Sequence, residues 1–217
     1  MWTYNGVKVH WLGHDSFVLE GSKTLVIDPF KASGRYRADI LLISHEHFDH
    51  LSEEDIGRFS GPTTTIVAPS ICQEPLKKFT MEKRFVSPGS STEVEGVRIE
   101  AVPAYNTNKF ASPGNFFHSK AEARVGYVMT LDRTRFYHAG DSDATPEMRS
   151  LDVDVAFLPV SGTYVMTAEE AAEAAKAMKA KVVIPMHIGS IVGSLEDAER
   201  FKRLVAAARE VVILQKE

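Results

Sequence analysis

The sequence predicts an α/β sandwich. Apolar, strand-like segments occur in both halves of the chain, for example at residues 40–43 and 153–160. Helix starts are interspersed, each marked by a Ser or Thr three positions before an acidic residue, at Ser52, Thr167 and Ser194. Strands in both halves with helices between them are typical of layered α/β folds. With no linker, repeat or low-complexity segment, the 217 residues are expected to form a single domain over 1–217.

The first half predicts strands at 7–12, 17–20, 24–27, 40–43 and 63–68, and the first two form a hairpin around the turn at residues 13–16. A helix follows Ser52, and a short helix carrying Cys72 follows Pro69 and Ser70. Cys72 has no adjacent basic residue, which favours a small buried hydrophobic side chain over a nucleophile.

The second half predicts short strands at 85–86, 91–94 and 97–102, joined by glycine turns as a β-meander. A hairpin at 126–131 and 135–139 turns at Asp132 and Arg133. An amphipathic helix from Thr167 to about residue 180 precedes a strand at 181–186, and a last helix runs from Ser194 to about residue 209. A strand at 211–214 closes the chain.

Composition excludes several partners. The net charge of -4 gives no electrostatic reason to expect nucleic acid or an anionic membrane surface. No apolar stretch approaches the ~20 residues that a membrane span needs. One cysteine and an N-terminus without signal-peptide features predict a cytoplasmic protein. We therefore expect a small-molecule substrate, and the sequence is compatible with a homo-oligomer.

The residues that carry chemistry are densest in the stretch His45-Glu46-His47-Phe48-Asp49-His50, between a buried strand and a helix start. Imidazole and carboxylate together are ligands for Zn²⁺, Mn²⁺ or Fe. His45 and His47 alternate, so in extended backbone they point the same way and can hold one ion. Asp49 and His50 lie past the turn and can face a second ion. A solvated polar loop is the alternative, but it does not explain such clustering.

Other potential ligands also follow strands. Asp141 and His187 each come after an apolar segment. Residues 103–122 contain turn formers and four aromatic side chains, which indicates an ordered active-site lid or wall; this segment includes Asn106 and His118. Further candidates have supporting roles as well as plain structural interpretations: His14, Asp28, His138 and Asp143.

The His-x-His-x-Asp-His stretch resembles the signature of the metallo-β-lactamase superfamily, and the resemblance covers essentially the whole chain. The segments Gly-His-x-Ser-Phe, Pro-Ala-Tyr-Asn, Tyr-His-Ala-Gly-Asp and Pro-Met-His-Ile-Gly are most similar to a compact prokaryotic branch. That branch lies close to the ascorbate-6-phosphate lactonase-like and N-acyl-phosphatidylethanolamine phospholipase D-like enzymes. The resemblance implies a four-layer αββα sandwich with metal ligands along one edge of two sheets.

By resemblance, His45 and His47 would bind a first ion, and Asp49, His50 and His187 a second. Asp141 would bridge the two ions. The family usually has a histidine where Asn106 stands, and an amide is a poor ligand for Zn²⁺. Two alternatives stay open: His118 replaces that histidine, or the first site is weak and one ion is bound. The expected metal is Zn²⁺, as one or two ions, with Mn²⁺ or Fe as alternatives.

The resemblance implies a metal-dependent hydrolase of a small ester, lactone or phosphodiester. A bound metal lowers the pKa of its water to around 7, so hydroxide is available for attack. Asp49 would orient it, His118 would donate to the oxyanion if it is not a ligand, and His14 would support the ligands. The alternatives are a nuclease or cyclic-nucleotide phosphodiesterase, which the acidic composition disfavours, and a non-catalytic metal-binding regulatory protein.

Overall fold

The computed structural model describes residues 1–217 and contains two seven-stranded mixed sheets. In the first sheet the strands lie in chain order, antiparallel from the first to the fourth and parallel from the fourth to the seventh. Its strands are β1 (Trp2–Tyr4), β2 (Val7–Gly13), β3 (Ser16–Glu20), β4 (Thr24–Ile27), β5 (Ile40–Leu42), β6 (Thr65–Pro69) and β7 (Glu82–Val86).

The second sheet is formed by strands from the remainder of the chain. Its strands are β8 (Ser91–Val94), β9 (Val97–Pro103), β12 (Val125–Leu131), β13 (Thr134–His138), β14 (Asp152–Pro159), β15 (Lys179–Met186) and β16 (Glu210–Val211). The short strands β10 (Phe110–Ser112) and β11 (Asn115–Phe116) pair only with each other. From β8 to β13 the pairing is antiparallel and from β13 to β16 it is parallel, so the second sheet repeats the pattern of the first.

Five α-helices complete the fold: α1 (Glu53–Phe59), α2 (Gln73–Leu76), α3 (Pro146–Arg149), α4 (Ala168–Ala177) and α5 (Leu195–Val205). Two of the three predicted caps are present, because Ser52 and Thr167 accept hydrogen bonds from the backbone at the third position of their helices. At Ser194 the backbone N–H and the hydroxyl instead donate to Asp197. The longest helix has 11 residues, and none is long and apolar enough to cross a membrane.

Alternation along the strands divides the core into two layers. Leu25 and Ile27 of β4 point into a cluster of 48 buried residues that includes both sheets and the helices α4 and α5. Val26 between them points into a second cluster of 14 buried residues, which Ile56 of α1 and Leu76 of α2 complete. Helix, sheet, sheet and helix therefore stack in order, which confirms the αββα four-layer sandwich.

The predicted β-meander is wrong. β7 pairs in parallel with β6 in the first sheet, whereas β8 and β9 form a hairpin in the second. The glycine turns are present, with Gly89 and Gly96 both at positive φ. Short strands near glycine turns show where the chain bends, but the partner of each strand is chosen by distant residues.

Several element ends also differ from the prediction. α4 ends at Ala177, because Met178 is extended (φ -73°, ψ 159°) and Lys179 pairs with Asp152 of β14. Sheet pairing therefore overrides a sequence that would continue the helix. α5 ends at Val205 rather than near residue 209, the last strand contains only two residues, and β1 was not predicted at all.

Candidate metal centre

The predicted ligands converge at one edge of the two sheets. The segment from His45 to His50 follows β5, Asp141 follows β13 and His187 follows β15. His118 reaches the same edge from the connection between β11 and β12. These side chains form overlapping groups of potential ligands. The sequence-predicted set is therefore brought together in space, as expected for the ends of neighbouring strands.

Three imidazoles form the first group: His45, His47 and His118, whose ligand atoms lie within 4.8 Å of one another. His45 Nε2 and His47 Nδ1 are 3.0 Å apart. On its other side His47 lies against Arg124, which is buried, makes two hydrogen bonds to Glu46 and donates to the carbonyl of Phe117. Burial and the charge of Arg124 lower the pKa of His47, which favours the neutral, ligating imidazole.

Asn106 positions His118 by hydrogen bonds and does not take its place in the ligand group. The Asn106 Oδ1 atom accepts hydrogen bonds from the His118 backbone N–H (2.8 Å) and from the ring Nδ1 (3.1 Å). The Asn106 amide donates to the carbonyl of Tyr164 at 2.8 Å, which fixes the amide orientation. Since Oδ1 can only accept, Nδ1 carries the proton and the lone pair of Nε2 faces the group. The geometry thus favours the alternative in which His118 joins His45 and His47.

The second group contains Asp49, His50 and His187, with His14 beside them. His50 Nδ1 lies 2.9 Å from a carboxylate oxygen of Asp28, and His187 Nδ1 lies 2.8 Å from Ser161 Oγ. In both rings, as in His118, a partner at Nδ1 leaves Nε2 directed at the centre.

His14 lies 3.1 Å from an Asp49 oxygen through its Nε2 and orients that carboxylate. Asp28 also accepts from the Ser44 backbone at 2.7 Å, so the expected support of the metal loop by Asp28 is present.

Asp141 lies between the two groups. Its Oδ2 atom is 3.4 Å from His118 Nε2, and its Oδ1 atom is 3.3 Å from His50 Nε2 and 3.4 Å from His187 Nε2. One oxygen faces each group, which is the arrangement required of a bridging carboxylate.

The donor set fits metal ions. Several buried polar atoms that face the centre have no hydrogen-bond partner: the Nε2 atoms of His50, His118 and His187, and Oδ1 of Asp141. Buried polar atoms without partners cost free energy, and their convergence indicates that an ion satisfies them. Three neutral imidazoles suit Zn²⁺, whereas the second group adds carboxylates.

The two groups also differ in electrostatics. Burial lowers the pKa of His118 to about 4 and holds that of His45 well below its usual range. For His187, burial opposes protonation, but the carboxylates of Asp141 and Asp15 outweigh it and raise the pKa to about 9. The same balance, with Asp141 and Asp28, raises the pKa of His50. The first group therefore consists of neutral imidazoles, and the second is dominated by negative charge.

The backbone around the centre is strained. His14, Asp28 and His187 have positive φ values of 52°, 41° and 61°, which non-glycine residues rarely adopt. Such strain is held by surrounding contacts and is typical of functional sites. The carbonyl of His14 accepts from both the Trp11 indole N–H (2.9 Å) and the His187 backbone N–H (3.3 Å), which joins the two sheets at this point.

A cavity of about 400 Å³ opens above the centre. Its lining consists of His47, Phe48, Asp49, Phe117, His118, Asp141, Tyr164 and Ile191, with no lysine or arginine. Phe117 and Tyr164 pack edge to face with 4.7 Å between ring centroids. Phe48 is 68% exposed at the rim. Phe117 belongs to the 103–122 segment, which therefore serves as a wall of the site, as expected.

Two of the weaker candidates lie outside the ligand groups. His138 is buried and bonds through Nε2 to the carbonyl of Asp15 at 2.9 Å, which agrees with its structural interpretation. Asp143 accepts from the backbone N–H groups of Thr107 (2.6 Å) and Asn108 (3.0 Å). It therefore caps the segment that leads to His118.

Sequence reasoning missed two residues, Arg124 and Asp15. Nothing in the sequence connects Arg124 to the metal stretch, because its partner Glu46 is 78 residues away. Asp15 had a usable signal, since it is adjacent to His14 in the turn that the sequence assigned to the site. The sequence pattern itself places Asp15 only in the turn at residues 13–16.

The two sheets and the His and Asp donors at their common edge define the metallo-β-lactamase class. A family model described as a beta-lactamase superfamily domain matches residues 8–187. A UPF0173 metal-dependent hydrolase of Thermococcus kodakarensis is 34% identical, with 96% of each chain covered. One from Pyrococcus horikoshii is also 34% identical, again with 96% of each chain covered.

Solved structures agree. A candidate metal-dependent hydrolase from Parabacteroides distasonis has 31% identity and a TM-score of 0.82, covering 96% of this chain and 94% of that one. A candidate Zn-dependent hydrolase of the superfamily from Thermotoga maritima has 25% identity and a TM-score of 0.64, covering 95% and 97%. The chain belongs to the UPF0173 metal-dependent hydrolase family of the metallo-β-lactamase superfamily.

Proposed function

We propose that this protein is a two-ion hydrolase that cleaves small, uncharged esters or lactones carrying an apolar group. The observation that supports this most strongly is the pair of ligand groups joined by Asp141 beneath a cavity with aromatic walls and no cationic side chain.

In this proposal His45, His47 and His118 hold a first ion, Zn²⁺, and Asp49, His50 and His187 hold a second. Asp141 faces both. When bound, such ions lower the pKa of coordinated water to about 7 and polarise the substrate carbonyl. The Thermotoga maritima relative is described as Zn-dependent, which supports zinc for the three-imidazole group.

The chain's own residues supply orientation and exclude water. Asp49 lies on the cavity wall, and its hydrogen bond with His14 holds the carboxylate where it can orient the attacking water. Phe117 and Tyr164 bind the apolar part of the substrate and Phe48 covers the rim. His118 acts as a ligand, so its Nε2 is not free to donate to an oxyanion, the other role that the sequence suggested for it.

The absence of lysine and arginine from the cavity wall distinguishes the candidate substrates. A phosphodiester or a phosphorylated lactone brings negative charge beside Asp49 and Asp141, and with no cationic side chain in the wall the bound ions would be the only positive charges to compensate it. Arg124 is already paired with Glu46. An uncharged ester or lactone has no such requirement. This supports lactonase-like over phosphodiesterase-like or nuclease chemistry within the branch that the sequence resembles.

The regulatory, non-catalytic alternative depended on the missing third-segment histidine. Because His118 lies with His45 and His47, that argument loses its basis. An open cavity directly above the ligand groups further supports an enzyme.

Metal analysis combined with substrate comparison tests the proposal. Elemental analysis of wild type is expected to give two ions per chain, and His118→Ala is expected to retain one. His10→Gln is the matched control, because His10 bonds Glu20 and Glu217 outside the centre, and it should keep two ions.

The zinc-loaded enzyme should hydrolyse p-nitrophenyl esters and an aliphatic lactone with kcat/KM at least tenfold above that for bis(p-nitrophenyl) phosphate. No bound metal after reconstitution, or faster cleavage of the phosphodiester, would contradict the proposal.

A further inference from the structure

A buried carboxylate beside the second ligand group has no hydrogen-bond partner. Asp15 lies between β2 and β3 and is 0% exposed. Neither of its carboxylate oxygens has a hydrogen-bond partner. A charged group removed from water without a partner is strongly unfavourable, so a carboxylate in this position requires a cation or a set of donors.

The side chain is aimed at the metal centre. Its Oδ2 atom lies 3.6 Å from His50 Nε2, 3.8 Å from His14 Nε2 and 3.9 Å from His187 Nε2. These distances are too long for hydrogen bonds. The ligand atoms of Asp15, His50, Asp141 and His187 nevertheless lie within 4.8 Å of one another, so one ion can contact all four.

The backbone on both sides of Asp15 is fixed. The carbonyl of Asp15 accepts a hydrogen bond from His138 Nε2 at 2.9 Å. The next residue, Ser16, donates to the carbonyl of Asp28 at 2.7 Å and accepts from the backbone N–H of Phe30 at 2.9 Å. Asp15 is therefore held in the interior and cannot turn towards water, which distinguishes it from an acidic residue that happens to lie near a site.

We propose that Asp15 is a further ligand of the second ion. That ion would then be held by the carboxylates of Asp15 and Asp141 and the imidazoles of His50 and His187, while Asp49 belongs to the overlapping group that shares these two imidazoles. Carboxylate-rich sites suit harder ions such as Mn²⁺, whereas the three-imidazole group suits Zn²⁺. The two positions of this centre consequently differ in metal preference, and Asp15 increases the preference of the second for Mn²⁺. The inference rests on the proposed two-ion site.

Metal binding by the isosteric variant Asp15→Asn provides the first test. Chelator-treated protein is titrated with Zn²⁺ or Mn²⁺, with affinities measured by competition and bound Mn²⁺ by electron paramagnetic resonance. We expect the first zinc to bind as in wild type and the second ion to bind at least about tenfold more weakly. The loss should be larger for Mn²⁺ than for Zn²⁺. Asp55→Asn removes another buried carboxylate, one bonded to Ser52 and Arg58, and should change neither affinity.

Thermal unfolding separates a ligand from a structural residue. The metal-free melting temperature of Asp15→Asn is the reference, because in wild type Asp15 also lies near the imidazoles of His50 and His187, which can carry positive charge when no ion is bound. Its melting temperature should rise less than that of wild type on addition of Mn²⁺. Asp15→Ser controls for any effect of the asparagine amide on packing, because serine is smaller. It should show the same loss of the second ion.

The outcomes distinguish this inference from the proposed function. If wild type binds no second ion, the two-ion proposal fails and this inference fails with it. If wild type binds two ions and Asp15→Asn binds both within twofold of wild type, only the role of Asp15 is overturned. An Asp15→Asn protein whose melting temperature rises on addition of Mn²⁺ as much as that of wild type would likewise assign Asp15 a structural role.

Discussion

At the scale of single residues, four histidines that face the centre through Nε2 are each held by a partner at Nδ1: His45, His50, His118 and His187. Ser44 Oγ donates to Asp28 and therefore accepts from His45 Nδ1, at 2.9 Å. Ser161 Oγ donates to the carbonyl of Thr163 and in the same way accepts from His187. Neutral side chains thus occupy Nδ1 of these rings, as the carboxylate of Asp28 does for His50. Metal affinity should depend on these partners as well as on the ligands.

Asn106 allows a direct test of this idea. Asn106→Ala removes the acceptor for both the backbone and the ring of His118, so the first ion should bind about 10–100-fold more weakly. Asn106→Asp keeps an acceptor at that position and should restore most of the affinity. Zinc competition with a chromogenic chelator measures both effects.

Asn108→Ala is the matched control for Asn106. Asn108 lies in the same segment but bonds to Glu170, so its loss should leave zinc affinity close to wild type. Equal affinities in wild type and Asn106→Ala would show that packing alone orients His118.

Only some of the candidate site residues could be predicted from the sequence. His45, His47, Asp49 and His50 are predictable because they are close in sequence, and alternation determines which way they point. Whether Asn106 or His118 faces the ions depends on the path of the 11 residues between them, which no local pattern specifies. The roles of all these residues as ligands stay predictions until metal is measured.

At the scale of elements, the segment that carries His118 is anchored to a helix start. Glu170 closes the capping box of α4 by accepting from the Thr167 backbone. The same carboxylate accepts from Asn108 at 2.6 Å and from Lys109 at 2.7 Å. Burial opposes the charge of Glu170, but the hydrogen bonds from Lys109 and Thr167 outweigh it and lower its pKa. One side chain therefore stabilises both the helix and the wall of the cavity.

Glu170→Gln should destabilise the protein at pH 7 by about 1 kcal/mol, the usual contribution of a helix cap. A lowered native pKa means that the carboxylate contributes stability above the unfolded value of about 4.5. That contribution is lost as the pH falls through the lower native pKa, so the difference from wild type should shrink in acid. Urea unfolding at pH 7 and at successively lower pH measures it.

Glu169→Gln is the control, since Glu169 lies in the same helical turn but pairs with Arg200 on the surface. It should have a smaller effect on stability. Hydrogen exchange should also become faster in residues 106–118 of Glu170→Gln and remain unchanged in the control. A pH-independent difference between Glu170→Gln and wild type would exclude the charge as the cause.

Turns and caps were the elements most readily predicted. Asp132 and Arg133 both adopt positive φ at the predicted hairpin, and Ser52 and Thr167 begin helices as expected. Their chemistry is local. The pairing of β7 with β6 was not predictable, because it joins segments separated by a helical connection and depends on which sheet each strand completes.

At the scale of the whole molecule, the candidate ligands come from both sheets. The segment from His45 to His50 extends from the first sheet, while Asp141 and His187 extend from the second. Between the sheets lies the larger core cluster, with side chains from both, such as Phe17 and Phe157 at 4.4 Å between ring centroids. We propose on this basis that residues 1–217 unfold as one domain and that the ions connect its two halves.

Metal removal tests that proposal. Because an ion that binds only the native state stabilises it by mass action, free metal at 100 times its dissociation constant should add about 2.7 kcal/mol to the free energy of unfolding. Calorimetry should then give one transition that moves to lower temperature with a chelator and returns with Zn²⁺. His118→Ala should retain only part of the shift, because one ligand group remains intact. Two transitions, or a midpoint indifferent to the chelator, would mean that the sheets are joined by their apolar core alone and that the centre contributes only chemistry.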